Sequence, residues 1–304
     1  WLLRSDPTVE EAACKNQRRP LLFFVFCLVG YGVYLVAMQP GWVLGGEMWA
    51  EAATNYFPNA GSPSLAVRFL STDAGYIPLP QRILAYAGHA LNLPARSIPH
   101  YYTWLAILIT GAMAAAFCLR PFRALVKNDL LRLFTVMAVL LIADFQTRTF
   151  INFTYFATFF IAIVSALALA DMRSEVPRWA WSIPVLMISK PAVLSALPAM
   201  ILAALVSRNR FRLITLAATL TGVAQVVQMM IIYPNSFFIW HKYSTAQKVA
   251  ASIEYFFGFL GSFFLGKGID REWLDPVMSI GVGIGLLCAC FVTVLKKRNS
   301  ACAL

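Results

Sequence analysis

Two glutamates, Glu47 and Glu51 in the stretch GGEMWAEAATNYF (45–57), follow directly on the first long apolar run of the chain. On a helix, a spacing of four places both carboxylates on one face. A carboxylate at a partly desolvated surface can act as a general base, because burial raises its pKa toward working pH. Asp73, ahead of a Gly-Tyr turn in STDAGYIPLPQR, is the third acid of this region, and Asp144 lies at the outer end of a later apolar run. The available cations are Arg82, Arg148 and Lys190, side chains suited to holding a phosphate. Asp144 and Arg148 stand at helical spacing and are expected to pair. Plainer roles compete with these. The two glutamates would serve equally well as the solvated face of an amphipathic helix, and Arg82 as an interface anchor. Lys190 stands apart, because charge at membrane depth is costly and marks a functional position by default.

The elements that must position these groups are membrane helices. Of 304 residues, 60% are hydrophobic and 13% charged, against about 25% charged in soluble domains. The net charge of +11 falls in short clusters between apolar runs, as orientation signals do, and not in a nucleic-acid patch. A span needs about 20 mostly apolar residues. Residues 21–38, 101–119, 213–233 and 276–295 qualify, and 132–144 and 153–170 form a tighter pair. The 179–206 segment has basic flanks on both sides and MISKPAVLSALP at its centre, with Lys190, Pro191 and Pro198. Proline removes a helix donor, so a broken pair of short helices, entering and leaving on the same side, is expected there. The fold class is therefore all-α, a polytopic transmembrane bundle of about eight membrane segments including the broken pair.

The tail 1–20 and the segments 120–132, 171–178, 207–212 and 296–304 together hold 16 of the 25 Lys and Arg. That bias places them, and both termini, in the cytoplasm. Residues 21–304 form one membrane domain, with two long external segments, 39–100 and 235–275. YFFGFLGSFFLG (255–266) is placed in or against the outer interface. No short apolar stretch with a cleavage site precedes the first run, so no signal peptide is expected. Within 39–100, polar Glu47, Glu51, Thr54 and Asn55 oppose Met48, Trp49, Ala52, Ala53 and Tyr56. From 80 to 92, Gln81, Arg82 and His89 oppose Ile83, Leu84, Ala87 and Leu91. Both patterns read as interfacial amphipathic helices. Cys14, Cys27, Cys118, Cys288, Cys290 and Cys302 are read as small apolar residues, not disulfides or metal ligands.

GGEMWAEAATNYF, then DAGYIPLPQR, then Lys-Pro between short same-side helices (ISKP) resembles the GT-C superfamily of membrane glycosyltransferases, over about 21–295. The resemblance implies an inverting transfer of a sugar from a polyprenyl-phosphate donor to a hydroxyl on a glycan or lipid-linked acceptor. It would take place at the outer face of a plasma membrane, in bacteria the inner membrane, in the service of a surface polysaccharide. It implies Glu47 as general base, with Asp73 or Glu51 orienting the acceptor or holding the divalent metal that some members use. Arg82, Arg148 and Lys190 would meet the donor phosphate, and Trp49, Tyr56, Tyr76 and Asp144 the sugars. The partners so implied are the donor, the acceptor and the bilayer, with no nucleic acid. A transporter or flippase for a lipid-linked saccharide is the alternative reading, since it too would use an internal lysine and a proline-broken helix.

Overall fold

A computed structural model of the chain describes residues 7–142, 145–170, 178–207 and 209–232, with a few isolated positions beyond. The chain divides into two units, Trp1–Tyr233 and Pro234–Leu304, and all that follows concerns the first. Among the described residues every extended element is helical. In chain order these are α1 (Pro7–Met38), α2 (Pro40–Gly45), a π-helical turn (Ala52–Tyr56) running into α3 (Phe57–Ala60), a second π-helical turn (Ala66–Leu70) and α4 (Leu79–Ala90). There follow α5 (Ile98–Ala115), α6 (Asp129–Ile142), α7 (Tyr155–Ala170), α8 (Ile183–Met187), a 3-10 helix (Pro191–Ala196), α9 (Leu197–Val206) and α10 (Asn209–Ile232).

Three stretches are long and apolar enough to cross a membrane: Arg19–Met38, Ala95–Cys118 and Phe211–Ile232. A fourth exists if Arg178–Met187 and Pro191–Val206, bent by 118°, count as one broken span. The expected count of about eight is therefore not reached among the described residues. With 14 and 16 residues, α6 and α7 extend only about 21 and 24 Å at 1.5 Å per residue, short of a hydrocarbon core of about 30 Å. The expected span 276–295 and the segment 235–275, with its interfacial stretch 255–266, lie outside the described residues apart from isolated positions.

Prolines set the helix starts. Pro80, Pro99, Pro184 and Pro198 each sit in the first turn of α4, α5, α8 and α9, where a missing N–H goes unused. Pro191 and Pro198 therefore do not kink a continuous helix. The break falls at Ser189–Lys190, ahead of Pro191. α1 packs on α5 and α6, α7 on α5 and α9, and α10 on α8 and α9. Large apolar side chains also point outward, among them Leu22, Val33, Leu205 and Leu220, each more than 60% exposed. In a helical protein that outward apolar surface fits lipid as its solvent. Cys27 and Cys118 are buried free thiols with their sulfurs 3.9 Å apart.

The segment between α1 and α5 departs from its expected form in two places. No helix runs from 47 to 57. Residues 46–49 are irregular, Ala50 has a positive φ of 42°, and the helical turn begins only at Glu51. Glu47 and Glu51 thus do not share a helical face. Gly46, with φ 71°, lies so close to α5 that an added Cβ would meet the His100 nitrogen at 2.7 Å. Gly46→Ala is expected to cost about 1–3 kcal/mol of stability, read as a lower melting temperature in detergent. The second departure is α4, whose amphipathic pattern is reversed at its start, while His89 stays exposed and Leu84 packs on the core. Gln81 and Arg82 are 0% and 1% exposed, whereas Ile83 is 39% and Leu91 66% exposed.

Candidate functional site

Asp73 and Tyr76 pair across a two-residue turn. The Asp73 N–H donates to the Tyr76 carbonyl (2.7 Å) and the Tyr76 N–H to the Asp73 carbonyl (3.1 Å). The central residues Ala74 and Gly75 have φ of 46° and 90°, the pair of left-handed residues that a type I′ turn requires. Glycine takes this conformation freely and alanine does not, so the turn is held by its surroundings. The Gln228 Nε2 donates to the Gly75 carbonyl at 3.2 Å.

The turn delivers the Asp73 carboxylate into the protein, where the residue is 6% exposed. One oxygen accepts from Asn55 Nδ2 at 3.1 Å and the other from the Tyr56 hydroxyl at 3.0 Å. Both donors come from the π-helical turn that opens with Glu51 at its N-cap. Such turns are rare and gather at functional sites. Burial pushes the Asp73 carboxyl above the ordinary carboxylate range, and the negative charge of Glu51 adds to this. The bonds from Tyr56 and Asn55 and the positive charge of Lys190 oppose it. Burial, together with Tyr76 and Asp73, pushes the Tyr56 hydroxyl up as well, so it stays a donor.

Two cations flank this carboxylate. Lys190, at the break between α8 and the Pro191–Ala196 helix, holds its Nζ 5.8 Å from the centre of the Tyr76 ring and 5.5 Å from that of Tyr155. The Arg82 guanidinium lies 5.6 Å from the centre of the Tyr56 ring. Although Arg82 is 1% exposed, none of its three nitrogens finds a hydrogen-bond acceptor among the described residues. Burial pushes its pKa down, and the charges of Tyr56 and Asp73 partly restore it. A guanidinium nevertheless stays ionised, so a buried charge with five free donors points at an anion site. One turn further along α4, Ala85 and His89 line a cavity of about 260 Å³ with Phe57, Ala60, Asn92 and Ile98.

The structure thus brings together Asp73, Glu51, Tyr56, Tyr76, Arg82 and Lys190 from the residues expected to carry chemistry. Others lie elsewhere. The Glu47 N–H donates to Thr103 Oγ1 at 3.0 Å, and Glu47 lines a separate small hollow with Trp42, Trp49 and Thr149. Arg148 donates to the Leu140 and Leu141 carbonyls at the end of α6 and lies over Tyr31 and Tyr34 of α1, a helix-capping position. Asp144 lies outside the described residues, and with it the expected pair with Arg148. For a divalent ion this corner offers the carboxylates Asp73 and Glu51, and among the described residues no group of three or more His, Cys, Asp and Glu forms.

Residues that the motif reading passed over complete the site: Asn55, Tyr155, Ser189, Gln225 and Gln228. The glutamines carried a usable signal, two amides three apart within the apolar run AQVVQMM. The charges around Asp73 also give signed predictions. Glu51→Gln removes a like charge and shifts the Asp73 titration to lower pH. Lys190→Met removes an opposite charge and shifts it to higher pH. A hydrophobic carbodiimide, which reacts with the protonated carboxyl, reads both shifts as the pH above which Asp73 labelling fades. No protein-family model, curated protein or solved structure matches the chain.

Proposed function

We propose that this chain is a membrane glycosyltransferase that moves a sugar from a polyprenyl-phosphate donor to an acceptor hydroxyl, with inversion and with Asp73 as the general base. One observation carries the reading: a buried carboxylate of raised pKa accepts from the Tyr56 hydroxyl while a buried guanidinium without hydrogen-bond partners among the described residues lies over the ring of the same tyrosine. In-line glycosyl transfer needs a base for the acceptor hydroxyl and a cation for the departing phosphate, on opposite faces of the anomeric carbon. Each Asp73 oxygen accepts one bond from Asn55 or Tyr56 and keeps a lone pair for the acceptor proton. As that proton moves to Asp73, the acceptor oxygen bonds to the anomeric carbon. The bond from that carbon to the phosphate oxygen breaks, and its electron pair leaves with the lipid phosphate. Arg82 and Lys190 stabilise the charge gathering there. Tyr76 and Tyr155, whose rings bracket the Lys190 ammonium, screen it from water.

In this reading the 39–100 segment lies on the outer side and both termini in the cytoplasm. The experiment supplies radiolabelled polyprenyl-phosphate sugars to the purified protein in lipid and follows label into a lipid-linked or polymeric product. Transfer with inverted anomeric configuration is expected, and retained configuration would overturn the mechanism. The 118° break beside Lys190 also suits a transporter of lipid-linked saccharide. Movement of an intact lipid-linked sugar across vesicles without any new glycosidic bond would select that reading instead.

A further inference from the structure

α10 joins two parts of the site that are far apart in sequence. Gln225 is 2% exposed on a helix apolar enough to span a membrane, an expensive place for an amide. It makes its bonds through Nε2, its Oε1 having no partner among the described residues. Its Nε2 carries two hydrogens and donates to two different segments: the Ile77 carbonyl at 3.3 Å, just past the Asp73 turn, and the Ser189 carbonyl at 3.0 Å, beside Lys190. Three residues on, Gln228 donates to the Gly75 carbonyl within the turn, 153 residues away in sequence. A direct bond closes the frame, from the Leu79 N–H to the Ile188 carbonyl at 3.0 Å. Every one of these acceptors is a backbone carbonyl, so the glutamines hold chain positions and touch neither the Asp73 carboxylate nor the Lys190 ammonium.

We infer that Gln225 and Gln228 are positioning residues, through which α10 holds the Asp73 turn and the Lys190 break at a fixed separation. The inference rests on the site reading above, although its test does not require the transferase activity. Met at 225 or 228 keeps the side-chain length and apolar surroundings while removing the donors. Thr221→Val is the control on the same helix, because among the described residues the Thr221 hydroxyl bonds only to carbonyls of its own helix, those of Ala217 and Ala218. The full-length protein in lipid nanodiscs is assayed in two ways. Hydrogen exchange reports the amides of Asp73, Tyr76 and Leu79, and carbodiimide labelling of Asp73 is followed against pH. The groups around that carboxylate (Glu51, Asn55, Tyr56, Tyr76, Arg82 and Lys190) are unchanged in all three variants.

Gln225→Met is expected to speed exchange at those amides about tenfold, the loss of one or two net hydrogen bonds, and to move the labelling profile to lower pH as water reaches Asp73. Gln228→Met, which loses one contact, is expected to do the same to a smaller degree and covers the case in which Gln225→Met fails to fold. Thr221→Val should leave both readouts in place. Unchanged exchange and labelling in the two glutamine variants would overturn the inference, as would equal changes in Thr221→Val. If the glutamine variants respond as expected and wild type transfers no sugar, the positioning role stands and the transferase reading falls.

Discussion

Asp73→Asn is expected to lower sugar transfer by about 10²–10⁴-fold, the usual contribution of a positioned general base, with little change in KM. The substitution keeps the volume but puts an NH2 donor in place of one accepting oxygen, and the amide cannot take a proton. Its residual rate should also be flat with pH. In wild type, by contrast, transfer should rise with pH through a limb lying above the ordinary carboxylate range, because burial and Glu51 hold the Asp73 proton on. The base must be ionised to work, so the raised pKa moves this limb upward. Glu47→Gln, in its separate hollow against Thr103, is expected to cost less than tenfold, far below what a lost base costs. Kinetics of both variants over a common pH series provide the check. If Glu47→Gln lost the greater activity, the base would return to the residue that family resemblance favoured.

Arg82→Met should separate stability from function. The side chain is buried with its nitrogens unpartnered, and an ion without compensating bonds carries a desolvation penalty of several kcal/mol. Met retains an apolar stem of similar length and removes the charge that lies over the Tyr56 ring. Stability is expected to rise, by about 1–4 kcal/mol on the scale seen when buried ions give way to apolar side chains. Transfer is expected to fall by about 10²–10³-fold, as when one preorganised donor to a developing charge is lost. Melting in detergent and kcat/KM, taken on one preparation, check both halves. A variant that melts earlier and loses activity only in step with its folded fraction would make Arg82 a structural cation.

The helices that come nearest to crossing were legible because a single physical requirement writes them. A run of about 20 apolar residues is needed to span hydrocarbon, and the expected 21–38, 101–119 and 213–233 lie within a few residues of Arg19–Met38, Ala95–Cys118 and Phe211–Ile232. The break at Lys190 was legible for a similar reason, since prolines forbid a continuous helix there. The 47–57 segment misled because the reversal at Ala50 falls on a residue with no turn signature. Periodicity ran straight through a left-handed alanine. On α4 the pattern put Gln81, Arg82 and His89 on one polar face, of which Gln81 and Arg82 turn inward while His89 stays exposed, because a polar stripe does not say which way it turns. That is why Arg82 could be read either as a phosphate-binding cation or as a surface anchor. The glutamines of α10 were overlooked because their partners, Gly75, Ile77 and Ser189, are backbone groups far away in sequence, which no local pattern marks.

The outward turn of Ile83 on α4 and of Leu91 just past its end also bears on how a substrate would arrive. With Ile83 and Leu91 outward and Arg82 inward, this edge of the helix suits an acyl chain as its neighbour. A lipid-borne donor would approach Arg82 sideways, within the plane of the leaflet. Its effective concentration is then a mole fraction among lipids and not a molarity. Diluting the aqueous phase would leave turnover unchanged, whereas inert lipid added at constant total donor would slow it in proportion.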